Sequence, residues 1–202
     1  MEVNYVLVAV IPLVLFLLLI FYYTILRRGK VVPKIAKTKN TLKIIGVSTL
    51  TTDDTFIEDD ALLWKEFRRV KEKNLIPKPK DGFSYVLIKM MPINGSISWE
   101  YLIGEIVSDF KRVPIGFKPF EIKPQLYAMV QRTFKREIPW INSTLKIEKY
   151  LYDKWLPNSK YALNTESTVK TIEYHTKKSG DSNKRNIVFY LAIKRRKEYI
   201  FL

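Results

Sequence analysis

The chain contains no cysteine, a single histidine, His175, and only two glutamines, Gln125 and Gln131. Without thiols there can be no disulfide, no thiolate nucleophile and no cysteine-ligated zinc. A lone histidine could act as a general base. A triad or a histidine metal site would need partners that no spacing here announces. Glycines number 7, and none builds a phosphate loop: Gly29-Lys30 and Gly116-Phe117-Lys118 both lack the Walker spacing. The glycine-x-serine-x-glycine elbow is also missing, and neither an internal repeat nor a low-complexity stretch is evident. No cofactor is implied.

What the chain does have is a long apolar run. Val6 to Leu26 is unbroken by charge and is followed at once by Arg27, Arg28 and Lys30. At ~1.5 Å rise per residue, a helix of this length covers roughly 30 Å, the hydrocarbon thickness of a bilayer. Tyr5 marks one edge, Phe21, Tyr22 and Tyr23 the other, and Pro12 is of a kind tolerated in spanning helices. The bulky, arginine-rich end does not suit a cleaved signal peptide. The expectation is a retained transmembrane helix over 6–26, after an outside tail at 1–5. Segment 27–43 carries Arg27, Arg28, Lys30, Lys34, Lys37, Lys39 and Lys43 with no acid, so the positive-inside rule places the remainder in the cytoplasm or an equivalent interior. Within the basic linker 27–41, the cations Arg27, Arg28, Lys30, Lys34 and Lys37 could also rest on anionic headgroups.

The formal net charge is +15, and all of the lysines and arginines lie beyond residue 26. Such an excess favours nucleic acid, anionic lipid or an acidic protein surface without choosing among them. Apolar residues make up 47% of the chain and aromatics 13%, too much for a disordered polar part. Residues 42–202 are therefore expected to form one basic α+β domain.

Within that domain, Leu42 to Thr51 is short and β-branched and reads as a strand. Acids Asp53, Asp54, Glu58, Asp59 and Asp60 precede a helix to about Asn74 with Leu63, Phe67 and Val70 on its apolar face. Phe83 to Met91 reads as a central buried strand. Segment 97–112 is ambiguous. Ile97, Trp99, Tyr101 and Ile103 alternate as a strand would, whereas Trp99, Leu102, Ile103, Ile106 and Phe110 make a helical stripe, and helix is chosen. Pro124 suits the first turn of a helix carrying Leu126, Met129, Val130 and Phe134. Asn142-Ser143 opens another helix, ended by Pro157. Two strands, 168–177 and 187–193, close the domain as a β-hairpin with a basic tip.

The chemistry-bearing candidates are few. Asp53 and Asp54 could hold a divalent cation before a helix, although acids there also complement the helix dipole, and their spacing fails the aspartate-x-aspartate pattern. Lys65, Arg69 and Lys73 fall at spacing four on one helix face, and Arg132, Lys135 and Arg136 lie together on another. Lys184-Arg185 mark the hairpin tip, and Lys194-Arg195-Arg196-Lys197 end the last strand. These twelve are the candidates for contact with an anionic surface or nucleic acid.

The composition and the apolar run together point to a single-pass, non-enzymatic scaffold whose basic domain docks an acidic partner or the membrane face. The alternatives are a membrane-tethered nucleic-acid binder and a membrane-bound enzyme using the acids or His175.

Overall fold

The computed structural model describes residues 16, 32–73, 83–92, 95–135, 137, 139–176 and 184–196. Residues 33–202 make up one structural unit. In chain order, its elements are β1 (Lys34–Lys37), β2 (Leu42–Thr51), α1 (Phe56–Lys73), β3 (Phe83–Met90), β4 (Trp99–Val107), β5 (Lys118–Ile122) and β6 (Leu126–Lys135). Then come α2 (Trp140–Tyr150), a π-helical turn (Leu151–Trp155), β7 (Tyr161–Leu163), β8 (Val169–Thr176) and β9 (Lys184–Arg195).

One antiparallel sheet of nine strands runs β1-β6-β9-β8-β3-β4-β2-β5, with β7 added beside β9. Its order reveals a repeat of topology that the sequence does not advertise. β2-α1-β3-β4 and β6-α2-β8-β9 are the same strand–helix–strand–strand unit, joined back to back through the β3–β8 ladder. The short leading strands are exchanged. β1, which leads into the first half, pairs with β6, and β5, which leads into the second, pairs with β2.

Side chains alternate across a strand, so each face of the sheet has its own core. On one face Ile45, Val47, Leu87, Tyr101 and Ile103 pack against Phe56, Leu63, Phe67 and Val70 of α1. On the other, Ile44, Val86, Ile88, Leu102, Ile106, Ile172 and Tyr174 form a second cluster. Gly46 and Gly104 face each other across β2 and β4. A Cβ on Gly46 would lie 2.3 Å from the carbonyl oxygen of Ile103, so the close approach of these strands requires glycine.

Several expectations are corrected. Segment 97–112 is not a helix: β4 occupies its centre, between β2 and β3. Every residue from Tyr101 to Val107 is buried. A strand covered on both faces loses its polar alternation, so Trp99, Leu102, Ile103 and Ile106 imitate a helical stripe. The expected helix after Pro124 is β6, for the same reason: Tyr127, Ala128 and Val130 are buried between β1 and β9. Helix α1 and strands β2, β3, β8 and β9 lie where the periodicity puts them, to within a few residues at their ends.

The fold class also changes in its main proposal. The described chain is mostly antiparallel sheet with two helices, and no helix among the described residues is long and apolar enough to cross a membrane. Both helices are amphipathic elements whose apolar sides lie on the sheet. Of the expected span 6–26 only Phe16 is described, so that expectation lies outside the described residues, as do Arg27, Arg28 and Lys30. Lys34 and Lys37 belong to β1. The single-pass anchor, its orientation, the bilayer as partner and the placement at a membrane are therefore set aside.

Candidate functional site

The helix-covered face of the sheet holds an unusual density of buried charge. Alternation puts Tyr85, Leu87 and Lys89 of β3 on this face, and Thr171, Glu173 and His175 of β8 beside them. Glu173 is only 3% exposed, and it lies opposite Leu87 in the middle of the ladder that joins the two halves. A carboxylate at such a place costs several kcal/mol unless other groups compensate it.

Compensation comes from His175, itself stacked against a ring. His175 Nε2 lies 3.3 Å from Glu173 Oε2, and the ring of Tyr85 stacks on His175 at 4.6 Å. Trp64 meets Tyr85 edge-on at 4.7 Å. From α1, Asp60 enters the same region, also buried, and accepts a hydrogen bond from the Tyr101 hydroxyl at 3.0 Å. Burial pushes the Asp60 carboxyl up to about 6, and the negative charge of Glu173 adds to this against the hydrogen bond from Tyr101. Burial also raises the Tyr101 phenol well above its usual value, so it stays a donor. A hollow of about 370 Å³ bounded by Ala61, Trp64, Arg68 and Tyr85 adjoins this cluster. Another buried acid on this face, Glu105, is already paired with Lys71 of α1.

Further along α1 lies a second, larger cavity of about 510 Å³ between the N-terminal turn of α1 and α2, with Phe56, Trp99, Lys89, Glu148 and Tyr152 in its wall. The Lys89 ammonium lies 4.9 Å from the ring centre of Phe56 and 5.4 Å from that of Trp99. It also donates to Glu148 Oε2 at 2.8 Å. A third hollow, of about 460 Å³, is lined by residues that include Leu50, Met90, Phe120 and Glu121.

The residues singled out from the sequence are scattered. Lys65, Arg69 and Lys73 are exposed on α1, and Arg69 is held in a bidentate pair with Glu66 at 2.6 and 2.8 Å. Arg132 and Lys135 stand on a strand, not a helix: Lys135 faces Lys184 on one face of the sheet, while Arg132 and Arg185, which lies opposite Phe134, are on the other. Lys194 pairs with Glu166 at 2.6 Å, and Arg195 is exposed. Arg196 is structural, donating to the carbonyls of Tyr161 and Leu156 at 3.0 and 2.9 Å. Arg136 and Lys197 lie outside the described residues. Asp53 and Asp54 are exposed, and no group of acids and histidine that could hold a metal forms among the described residues.

His175, set aside as isolated, sits beside the buried acid. Glu173, Asp60, Lys89, Glu148 and Tyr101 were missed. A signal existed for three of them. Asp60 falls on the same helical stripe as Phe56, Leu63, Phe67 and Val70, while Lys89 and Glu173 interrupt apolar strand runs.

No protein-family model and no curated protein sequence matches the chain. Solved structures do match. The structure of SAV2435 bound to tetraphenylphosphonium superposes with a TM-score of 0.59 at 9% identity, over 80% of this chain and 93% of that one. An integron cassette protein from the mobile metagenome of Vibrio cholerae gives 0.53 at 13% identity, over 80% and 95%. A cryo-EM structure of an EcmrR–DNA complex gives 0.52 at 11% identity, over 95% of this chain and 69% of that one. Structural neighbours thus include both a ligand-bound protein and a DNA-bound complex, and the likeness is one of fold.

Proposed function

We propose that this protein binds an organic cation with aromatic faces, seated against Asp60 and Glu173 and walled by Trp64, Tyr85 and Tyr101. The observation that carries this reading is Glu173, 3% exposed at the centre of the sheet, with a second buried acid, Asp60, whose carboxyl is raised by burial and further by the charge of Glu173. Two acids in a low-dielectric, ring-lined site attract a cation whose charge is spread out and weakly hydrated, because little hydration is lost on entry. That a neighbour of the same fold is described with tetraphenylphosphonium supports the choice of ligand class. Entry requires Trp64 and Tyr85, both half-buried, to swing away from the acids.

Titration with tetraphenylphosphonium and with tetraphenylborate, an anion of nearly the same shape, tests the reading. The phosphonium should bind at least ten-fold more tightly, and Glu173→Gln should erase the difference. Equal affinities in the unaltered protein would overturn it.

A second reading, contact with nucleic acid, rests on the register of β6 and β9. It sets Lys135 against Lys184 on one face and places Arg132 and Arg185 of the same two strands on the other, a local excess of positive charge that favours an anionic partner. An EcmrR–DNA complex among the structural neighbours is consistent with it. Duplex DNA binding should weaken steeply with salt, and Lys135→Gln with Lys184→Gln should flatten the slope by about two. An unchanged slope would exclude this patch.

A further inference from the structure

The wall of the larger cavity holds three lysines and three acids, but its inner part sets two ammonium groups on one carboxylate. Lys89, 9% exposed, and Lys170, half-buried, both reach one carboxylate, Glu148, at 2.8 and 3.3 Å. Two ammonium groups carry six N–H donors between them, and one carboxylate cannot occupy all of them. The Tyr152 hydroxyl is buried and makes no hydrogen bond, and neither does the hydroxyl of Thr171, which faces Lys89 across the β3–β8 ladder. An orphaned buried hydroxyl costs stability unless something satisfies it, so Tyr152, in the wall of the cavity, marks a place shaped for a polar partner.

The inner charges leave an excess of one positive. The remaining charged residues of the wall, Lys149 and Asp153, are exposed and pair with each other at 2.8 Å, and Asp53 is exposed at the rim. The field is felt by Glu148. Burial alone would raise its carboxyl, yet Lys89 and Lys170 hold it below the usual range. Phe56 and Trp99, with ring centres 5.1 Å apart and planes tilted by 47°, supply an apolar wall.

We infer that this cavity is a binding site for a small aromatic molecule bearing a carboxylate, with Lys89, Lys170 and the Tyr152 hydroxyl on the carboxylate and Phe56 and Trp99 against the ring. This site is separate from the Asp60–Glu173 cluster and takes the opposite charge. A volume of about 510 Å³ suits a molecule of one or two fused rings.

The test is calorimetric titration of the full chain with 2-naphthoate and with its neutral isostere 2-naphthamide. Naphthoate should bind at least ten-fold more tightly. Lys170→Gln and Tyr152→Phe, which leave the buried Lys89–Glu148 pair intact, should each weaken naphthoate three-fold or more without moving the naphthamide affinity. Lys89→Met/Glu148→Met/Lys170→Met, which removes every inner charge, should bind the two probes alike. Equal affinities in the unaltered protein, no binding of naphthoate, or variants that bind naphthoate as before would each overturn the inference. Tetraphenylphosphonium titrated in parallel reads the other site, so failure of one reading is distinguishable from failure of the other.

Discussion

Glu173 on β8 faces Leu87 on β3 at the middle of the ladder that joins the two halves of the sheet. The halves share one topology, with β3 and β8 in matching places, so the two residues stand side by side on equivalent strands. One half presents a leucine there and the other a carboxylate, and that difference makes this stretch of the core a charged site.

Glu173→Leu combined with His175→Leu should stabilise the fold while removing cation binding. Replacing a buried charged pair as a whole with well-packed apolar side chains commonly yields about 1–4 kcal/mol, whereas removing one partner alone leaves the other uncompensated. Thermal unfolding should shift upward by several degrees, and tetraphenylphosphonium affinity should fall more than ten-fold. A destabilised variant would mean that Glu173 is held by more than His175.

Asp60 should make both stability and binding depend on pH. Its folded-state carboxyl is raised to about 6 by burial, so the stability it contributes is full below pH 4 and is lost as pH rises through 6. Asp60→Asn should match the unaltered protein at pH 4 and be the more stable at pH 7. Tetraphenylphosphonium binding runs the other way, tightening between pH 5 and 7 as Asp60 ionises. Unfolding midpoints and titrations at these pH values check both.

Lys89 and Glu148 should be more costly to separate than to remove together. Lys89→Met leaves a carboxylate buried and served only by Lys170, with an expected loss of about 3 kcal/mol, the low end for a broken buried pair. Lys89→Met/Glu148→Met should recover most of that loss. Urea unfolding of the three proteins measures the coupling.

Gly46 and Gly104 should tolerate no side chain. A Cβ on Gly104 would lie 2.6 Å from Ile44 Cγ2 and 2.8 Å from the carbonyl oxygen of Ile45. Gly104→Ala should cost about 1–3 kcal/mol in urea unfolding, as overpacking does. Gly46→Ala should cost more, because it meets backbone that cannot rotate away. Gly95, with a φ of 72° and nothing near its Cβ position, is the contrast: alanine there strains only the local backbone.

Elements marked by helical spacing or by β-branched composition were legible in the amino-acid order. Helix α1 shows because Leu63, Phe67 and Val70 recur at helical spacing, and β2, β8 and β9 because short β-branched runs lie between polar segments. β4 and β6 were misread because Tyr101 to Val107 and Tyr127 to Val130 are covered on both sides, which erases the period that distinguishes strand from helix. The repeat was invisible because topology can be shared without shared residues.

Net charge, the absence of thiol chemistry and the want of a metal or phosphate motif follow from composition and spacing, which need no fold to read. The sites do not. Asp60, Tyr101 and Glu173 come from α1, β4 and β8, and Lys89 meets Glu148 across 59 positions of chain. Only strand order and the packing of two helices on one face bring them together. Burial then changes what each group does, because a carboxyl or an ammonium is an ordinary surface charge until water is removed from around it.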